Sequence, residues 1–469
     1  MTAVNPQPPA GTPGIRPGVF SSDYRPLSIG LYTVITGCAF DQTAVTAVMP
    51  TITRDFGDQS AYSAAFVLPM SFSLVAMVVS GIVCTMRGAR TSVWWGAGFL
   101  AVGLVLSIVA PTMAVFLLSR AIQGLGIGFL IVAVYAVIAQ AYPPAIRTAV
   151  FAGFAAAWLL PSLLGPSVAG LLAAYSTWHA VFAFTLALLV AAVVLLIKPL
   201  VALEPVRARA PRGAVNQITA SVVVAAAASG LSGTVKLSPA VGAVVFVLLG
   251  AVIVRGLKPL VPAGLFTGRT ATAKLVATRG IADTMFAAEI YLPLMLAHRD
   301  HLGPTLTGIG LSVSGLTWFI GSQVQAKLSE KTTLPQAGRV CAATGFAGVA
   351  VIIVALLVGL HWVWLVAGWG IWAFGIGFLY PRMSSEALAY CPAEDTGFVS
   401  SALQVTGSVA MTGMTAACAM VALSHTVVGT GLSFALVYGL FAVVSLPAMW
   451  MLWRPGVTDP KDMPPARVH

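Results

Sequence analysis

Phe40-Asp41-Gln42-Thr43-Ala44-Val45-Thr46-Ala47-Val48-Met49-Pro50 closes an apolar stretch that begins at Leu27. About 20 apolar residues in helical form cross the hydrocarbon core of a bilayer. Residues 27–50 therefore read as a membrane-spanning helix with a carboxylate inside it. At 1.5 Å per residue, Asp41 lies about 20 Å along that helix, nearer mid-membrane than a headgroup. A charge at that depth costs about 2.5–3.5 kcal/mol even on lenient insertion scales, which makes an intramembrane acid a functional-site hypothesis by default. Protonation removes the charge and offers a way to couple proton movement to another event. The alternative is an acid hydrogen-bonded to neighbouring helices for packing alone. Pro50 is expected to end or bend the helix.

The rest of the chain repeats the pattern. Of 469 residues, 58% are hydrophobic and only 8% charged, against about 25% charged in soluble proteins, so this reads as a polytopic membrane protein. Apolar segments of spanning length are predicted near 27–50, 62–84, 92–110, 113–140, 147–172, 178–198, 217–235, 238–257, 272–297, 306–326, 339–360, 362–381, 397–424 and 431–453. With a cytoplasmic N-terminus, the inner loops and their edges hold twenty lysines and arginines, and the outer ones only Arg54, Lys236 and Arg299. That asymmetry follows the positive-inside rule and places both termini in the cytoplasm of a cell-membrane protein. It also assigns the net charge of +11 to loops rather than to nucleic acid. A twelve-span chain, with 217–257 outside the core or re-entrant, keeps the same orientation. The Pro-rich segment 1–26 reads as a disordered cytoplasmic tail without a cleavable leader. Residues 27–200 read as one six-helix bundle, 201–216 as a basic linker, 217–257 as an inserted hairpin, 258–455 as a second bundle and 456–469 as a tail. No nucleotide-binding loop is present, and the five scattered cysteines suggest neither a metal site nor a disulfide framework.

Charged and kinked positions inside the spans carry the chemistry. The fourth reads Arg120-Ala121-Ile122-Gln123-Gly124-Leu125-Gly126-Ile127-Gly128. A membrane arginine must face a partner or water, Gln123 is one turn away, and the glycines admit a close neighbour. A packing motif with a snorkelling arginine is the other reading. In the fifth span, Pro161 and Pro166 free backbone carbonyls that a neighbouring helix can satisfy. In the ninth, Arg279 and Asp283 are one turn apart and can pair, as a structural or gating element. Glu289, turned roughly 120° from Asp283, is a second protonation candidate. Glu386 reads as a loop residue beyond its helix, and His298-Arg299-Asp300-His301 as a solvated outer loop. Paired tryptophans near segment ends, among them Trp450 with Trp453, read as interfacial belts.

Together these pieces resemble the major facilitator superfamily, specifically its fourteen-span drug–proton antiporters. The first-helix pattern matches at Asp41, Thr43, Val45 and Pro50, with Thr46 where that family usually has asparagine. The Arg-x-x-Gln-Gly-x-Gly motif matches at Arg120, Gln123, Gly124 and Gly126. The antiporter motif is present as Gly165-Pro166-Ser167-Val168-Ala169-Gly170, one glycine replaced by alanine. In the loop after the second helix, Gly81, Gly88 and Arg90 match, but Thr85 and Met86 replace an Asp–Arg pair that the resemblance implies to latch the two halves. The equivalent second-half loop keeps Glu330 and Lys331, as a latch or as a solvated charge cluster.

The resemblance implies two six-helix bundles around a central cavity, plus two inserted helices, in an α-helical membrane protein that is not an enzyme and needs no cofactor. It implies export of a hydrophobic or amphipathic small molecule by alternating access, with a proton gradient as the energy source. Asp41, Arg120 and Glu289 would couple protons; Gln123, Asp283 and Arg279 would serve the cavity or its gates. The expected partners are a lipophilic or lipid substrate, protons and the bilayer, with the protein monomeric. A dedicated lipid or envelope-precursor exporter and a transport-inactive sensor or scaffold are the alternatives.

Overall fold

The computed structural model describes residues 18–58, 64–203, 208–211, 213–231, 233–234, 237–265, 270–302, 304–422 and 431–453. Most of the expected N-terminal tail, the C-terminal tail, Arg207 and Arg212 of the linker, and Lys236 lie outside the described residues, as do the side chains of Pro50 and His298. The described residues are helical throughout, with no strand. The first set of helices comprises α1 (Arg25–Asp55), α2 (Ala64–Arg87), α3 (Ala89–Ile108), α4 (Met113–Ala141), α5 (Pro144–Tyr175) and α6 (His179–Val201). Then come α7 (Ala214–Leu231) and α8 (Pro239–Leu257). The second set comprises α9 (Ala271–Phe286), α10 (Tyr291–Arg299), α11 (Pro304–Lys327), α12 (Leu334–Val358), α13 (Val363–Ala389), α14 (Thr396–Ala422) and α15 (Gly431–Trp453). Among the described residues, ten helices are long and apolar enough to cross a membrane, α7 and the α8 region among them.

The structure differs from the sequence reading at four places. Helix α1 does not end at position 50 but runs on to Asp55. The ninth expected span is two helices, α9 and α10, joined by a 3-10 turn over Ala287–Ile290. Glu386 is no loop residue: it lies inside α13, where Arg382 donates to it and to the Ser329 carbonyl, tying α13 to the end of the α11 rod. Trp450 and Trp364 are exposed, as belts require, but Trp453 is fully buried beneath Lys274, whose ammonium sits 4.4 Å from the ring centroid.

Small residues set the packing. Helix α4 is clasped by α2 and α3, and α1 packs along α5 and α6. A Cβ at Gly126 would lie 2.4 Å from the Leu100 backbone on α3, and one at Gly124 would lie 2.3 Å from the Pro69 carbonyl on α2. Only hydrogen allows that approach, as at membrane helix interfaces generally. At the head of α3, Gly88 takes φ +83°, a left-handed conformation that glycine adopts without strain. Among α9–α15, α13 packs on α11 and α12, and α14 on α9.

The two sets meet along a seam where α2 contacts α14 and α5 contacts α11 and α13. At the end carrying Arg87, Arg90 and Arg147, the basic end, the seam is closed: a Cβ on Gly81 of α2 would lie 2.7 Å from the Gly397 carbonyl of α14. Toward the far end it opens. No residue of α1 from Leu27 to Asp41 is exposed, whereas Gln42, Thr46 and Ala47 are. Helix α5 behaves alike: Val150 to Leu159 are covered, and exposure starts at Leu160. The α7–α8 hairpin packs beside this seam against α2 and α14, with a Ser71–Ser229 hydroxyl bond of 2.5 Å.

The packing argument predicts that Gly126→Val drives Leu100 off α4 and lowers the yield of monodisperse folded protein severalfold in detergent gel filtration. Gly98→Ala, whose Cβ meets nothing within 4 Å, leaves yield unchanged and melting equal or slightly higher.

Candidate functional site

Asp41 and Arg120, 79 positions apart in the chain, meet in a buried ion pair: Arg120 Nη1 donates to Asp41 Oδ2 at 3.0 Å. Asp41 is 1% exposed and Arg120 3%. The guanidinium is held from three directions. Besides Asp41, its Nη1 donates to Gln123 Oε1, one turn along α4, and its Nε donates to the Ala65 carbonyl of α2 at 3.3 Å. That carbonyl is available because Pro69, four residues on, has no N–H to donate back to it. Gln123 is oriented in turn by donating to the Gly103 carbonyl at 3.1 Å and to Ser107 Oγ at 2.7 Å. Asp41 Oδ1, by contrast, is buried without a hydrogen-bond partner among the described residues. A buried pair is stable only when geometry and hydrogen bonds compensate lost hydration. Here the cation has three acceptors, on Nη1 and Nε, whereas the anion is bonded through one oxygen only.

The proline motif of α5 faces the same helix. Pro161 frees the Ala157 carbonyl, to which Thr36 of α1 donates at 3.3 Å, and Thr43 donates to the Pro161 carbonyl at 3.2 Å. A Cβ on Gly165 would lie 2.6 Å from Thr43 Oγ1, so this glycine sets the α1–α5 approach. Pro166 is exposed, and Gly170 faces open space with nothing within 4 Å of a Cβ. Within the motif Gly165 and Ala169 are buried, whereas Pro166 and Gly170 are exposed.

A second cluster surrounds Arg279 near the basic end. Its Nε donates to Asp283 Oδ2 at 2.7 Å, the i, i+4 pair expected from spacing. Its Nη2 donates to Gln404 Oε1 of α14 at 3.2 Å and its Nη1 to Tyr135 Oη of α4 at 3.2 Å. Tyr380 of α13 donates to Asp283 Oδ1, and its ring lies 4.4 Å from the Arg279 guanidinium carbon. Tyr135, Tyr380 and Gln404 escaped the sequence reading; a tyrosine or glutamine inside an apolar span was the available signal.

Glu289 sits apart, in the 3-10 turn between α9 and α10, where it accepts from Ser314 Oγ at 2.7 Å. It takes part in none of the described ion pairs. Of the loop residues, Arg90 reaches the Val201 carbonyl at the end of α6 at 3.5 Å, within its own set of helices. Glu330 and Lys331 lie in the turn after α11, where the Lys331 amide donates to the Leu328 carbonyl at 2.9 Å. The Arg299 expected in a solvated loop instead donates to the Leu360 carbonyl at 2.8 Å, capping the end of α12. No group of three or more His, Cys, Asp or Glu that could hold a metal occurs among the described residues.

Comparison with known proteins agrees with this architecture. Residues 31–415 match the family model of the Major Facilitator Superfamily. Multidrug resistance protein 3 of Bacillus subtilis is 30% identical over 154 residues, 33% of this chain and 30% of that protein. A probable multidrug-efflux transporter of Mycobacterium tuberculosis is 24% identical over 320 residues, 66% of this chain and 68% of that one. The chain spans under half the length of several curated relatives, 30% of the Bacillus protein and 44% of an uncharacterized mycobacterial MFS-type transporter. Among solved structures, a bacterial homologue of the iron transporter ferroportin in an outward-facing state superimposes with a TM-score of 0.67 at 13% identity, covering 91% of this chain and 97% of that one. The human organic anion transporter MFSD10 gives 0.65 at 15% identity, covering 91% and 99%. These likenesses show the fold; the family match shows the lineage. This multi-pass membrane protein belongs to the Major Facilitator Superfamily.

Proposed function

We propose that this protein exports hydrophobic or amphipathic small molecules in exchange for protons, by alternating access between its two sets of helices. The observation that carries this reading is the buried Asp41–Arg120 pair, with one carboxylate oxygen held by the cation and the other unpartnered. It lies at the level where the seam opens toward the far end. A proton delivered there neutralises Asp41 and releases Arg120 onto Gln123 and the Ala65 carbonyl, both already in reach. Loss of the ion pair removes one tie between α1 and α4, so protonation and helix position become linked. Glu289, a carboxylate outside the described ion pairs at a helix break, is the second proton carrier in this scheme. Broken helices are recurrent ion and substrate sites in transporters.

The basic end is assigned to the cytoplasm by the positive-inside rule, which makes the described conformation open to the outside. Exposed residues above Asp41 combine hydroxyl and amide groups (Gln42, Thr46) with leucines on α5 (Leu160, Leu163, Leu164). That mixture suits a lipophilic cargo and offers little to a sugar phosphate. A second reading, export of a lipid or envelope precursor, draws on a lateral groove of about 340 Å³ among α11, α12 and α13. It is lined by Val313, Thr317, Thr344, Ile371 and Phe374, with both threonine hydroxyls turned to carbonyls of their own helices.

Two experiments test the site. In proteoliposomes with an imposed pH gradient, wild type should drive a lipophilic dye uphill and Asp41→Asn should not, although the variant folds; equal uphill transport by both proteins contradicts the assignment. Glu289→Gln keeps an acceptor for Ser314 but carries no proton, so it should lower the steepest cargo gradient reached while sparing downhill movement. Thermal unfolding in micelles tests the pair itself. Arg120→Ala strands a buried carboxylate and should cost about 3–5 kcal/mol. Adding Asp41→Asn should restore much of that loss, a coupling expected only for groups in direct contact.

A further inference from the structure

We infer that the Arg279 network is the latch that closes the seam at the basic end, doing the work that the loop between α2 and α3 cannot do in this chain. The inference rests on the alternating-access part of the proposed function, not on its proton coupling.

Among the described residues, the loop's own bonds stay on its own side. Thr85 donates to the Gly81 carbonyl one turn back in α2 at 3.1 Å, and Arg90 reaches the end of α6. Gly81 touches Gly397 closely, but that contact is one of shape, without a directional bond. The Met86 carbonyl accepts from the linker amide of Ala208 at 3.0 Å rather than from the second set of helices.

Arg279 is built differently. Eight residues into α9, it lies about 12 Å from the basic end of that helix. Three groups of its own set fix it: Asp283 on Nε, Gln404 on Nη2 and the Tyr380 ring against its face. Tyr380 also occupies the second oxygen of Asp283, so the carboxylate is held on both sides. The remaining described bond, from Nη1, crosses the seam to the Tyr135 hydroxyl. Tyr135 is itself braced by Phe151, ring centroids 4.8 Å apart. Backbone room has been made for the network: a Cβ at Gly407 of α14 would fall 1.8 Å from Asp283 Oδ2. A second polar tie, from Gln323 of α11 to the Ala152 carbonyl of α5 at 3.1 Å, crosses the seam elsewhere in the same half.

A preorganised cation needs little reordering to bind its partner, so most of the Arg279–Tyr135 bond energy is available to hold the seam shut. Losing this one should therefore raise the ratio of basic-end-open to basic-end-closed protein by about tenfold. The sequence positions agree with this role: Arg279 and Asp283 share a helix, but Tyr135 lies 144 residues from Arg279, on the other side of the linker.

Spin labels on Arg87→Cys and Glu394→Cys, both exposed and on opposite sides of the seam, would report the closure by electron–electron distance measurement. The background lacks Cys38, Cys84, Cys341, Cys391 and Cys418. Tyr135→Phe removes one hydroxyl and keeps the ring; it should enlarge the long-distance population about tenfold relative to the short one. Gly407→Ala, which pushes Asp283 aside, should shift it in the same direction. Tyr32→Phe, which deletes a hydroxyl bonded at 3.2 Å to the Val150 carbonyl within the first set, should leave the distances unchanged. Unaltered distances in Tyr135→Phe, or an equal shift in Tyr32→Phe, would overturn the latch. The readout requires neither cargo nor a proton gradient, so the latch and the export reading can fail independently.

Discussion

Inside a bilayer no water is at hand to satisfy a stray backbone N–H or C=O, so each must find its partner within the protein. The helices of this protein are arranged around that constraint, most visibly where prolines break their ladders. Pro69 releases the Ala65 carbonyl and Arg120 takes it; Pro161 releases that of Ala157 and Thr36 takes it; Pro381 releases that of Gly377 and Ser322 takes it at 3.1 Å. Each repair bridges two helices of one set. The kinks thus act as joints, fixed by side chains that must come from the right neighbour.

The same constraint explains why Arg120 and Arg279 behave differently. Arg120 repairs a proline kink and holds a carboxylate within the first set of helices, so its bonds survive any rocking of that set as a body. Arg279 spends one donor on a tyrosine of the other set, so its bonds change when the sets separate. One arginine can therefore report protonation and the other closure. Coupling between them needs a common element, and α4 supplies it, carrying Arg120 near its far end and Tyr135 near its basic end.

Much of this was legible in the chain. Among the described residues, ten of the fourteen expected spans are helices long and apolar enough to cross a membrane, because hydropathy dictates them, and Asp41, Arg120 and Arg279 announced themselves as charges in apolar surroundings. The Arg279–Asp283 pair was visible because both residues share a helix face. The Asp41–Arg120 contact joins residues 79 apart, and spacing alone did not require it. Tyr135, Gln404 and Tyr380 stayed hidden for the same reason: their partners lie 144, 125 and 97 residues away. The break at Ala287–Ile290 had one signal, Pro293, which has no N–H to return to the Glu289 carbonyl four residues back.

The central claim is that cargo and proton compete through Asp41. It is tested most directly by adding a lipophilic cargo to purified protein in weakly buffered detergent and following pH with an indicator dye. The account predicts a stoichiometric release of protons from wild type that is absent in Asp41→Asn, with cargo binding retained in both. Equal proton release from the two proteins, or none from either despite binding, would contradict it.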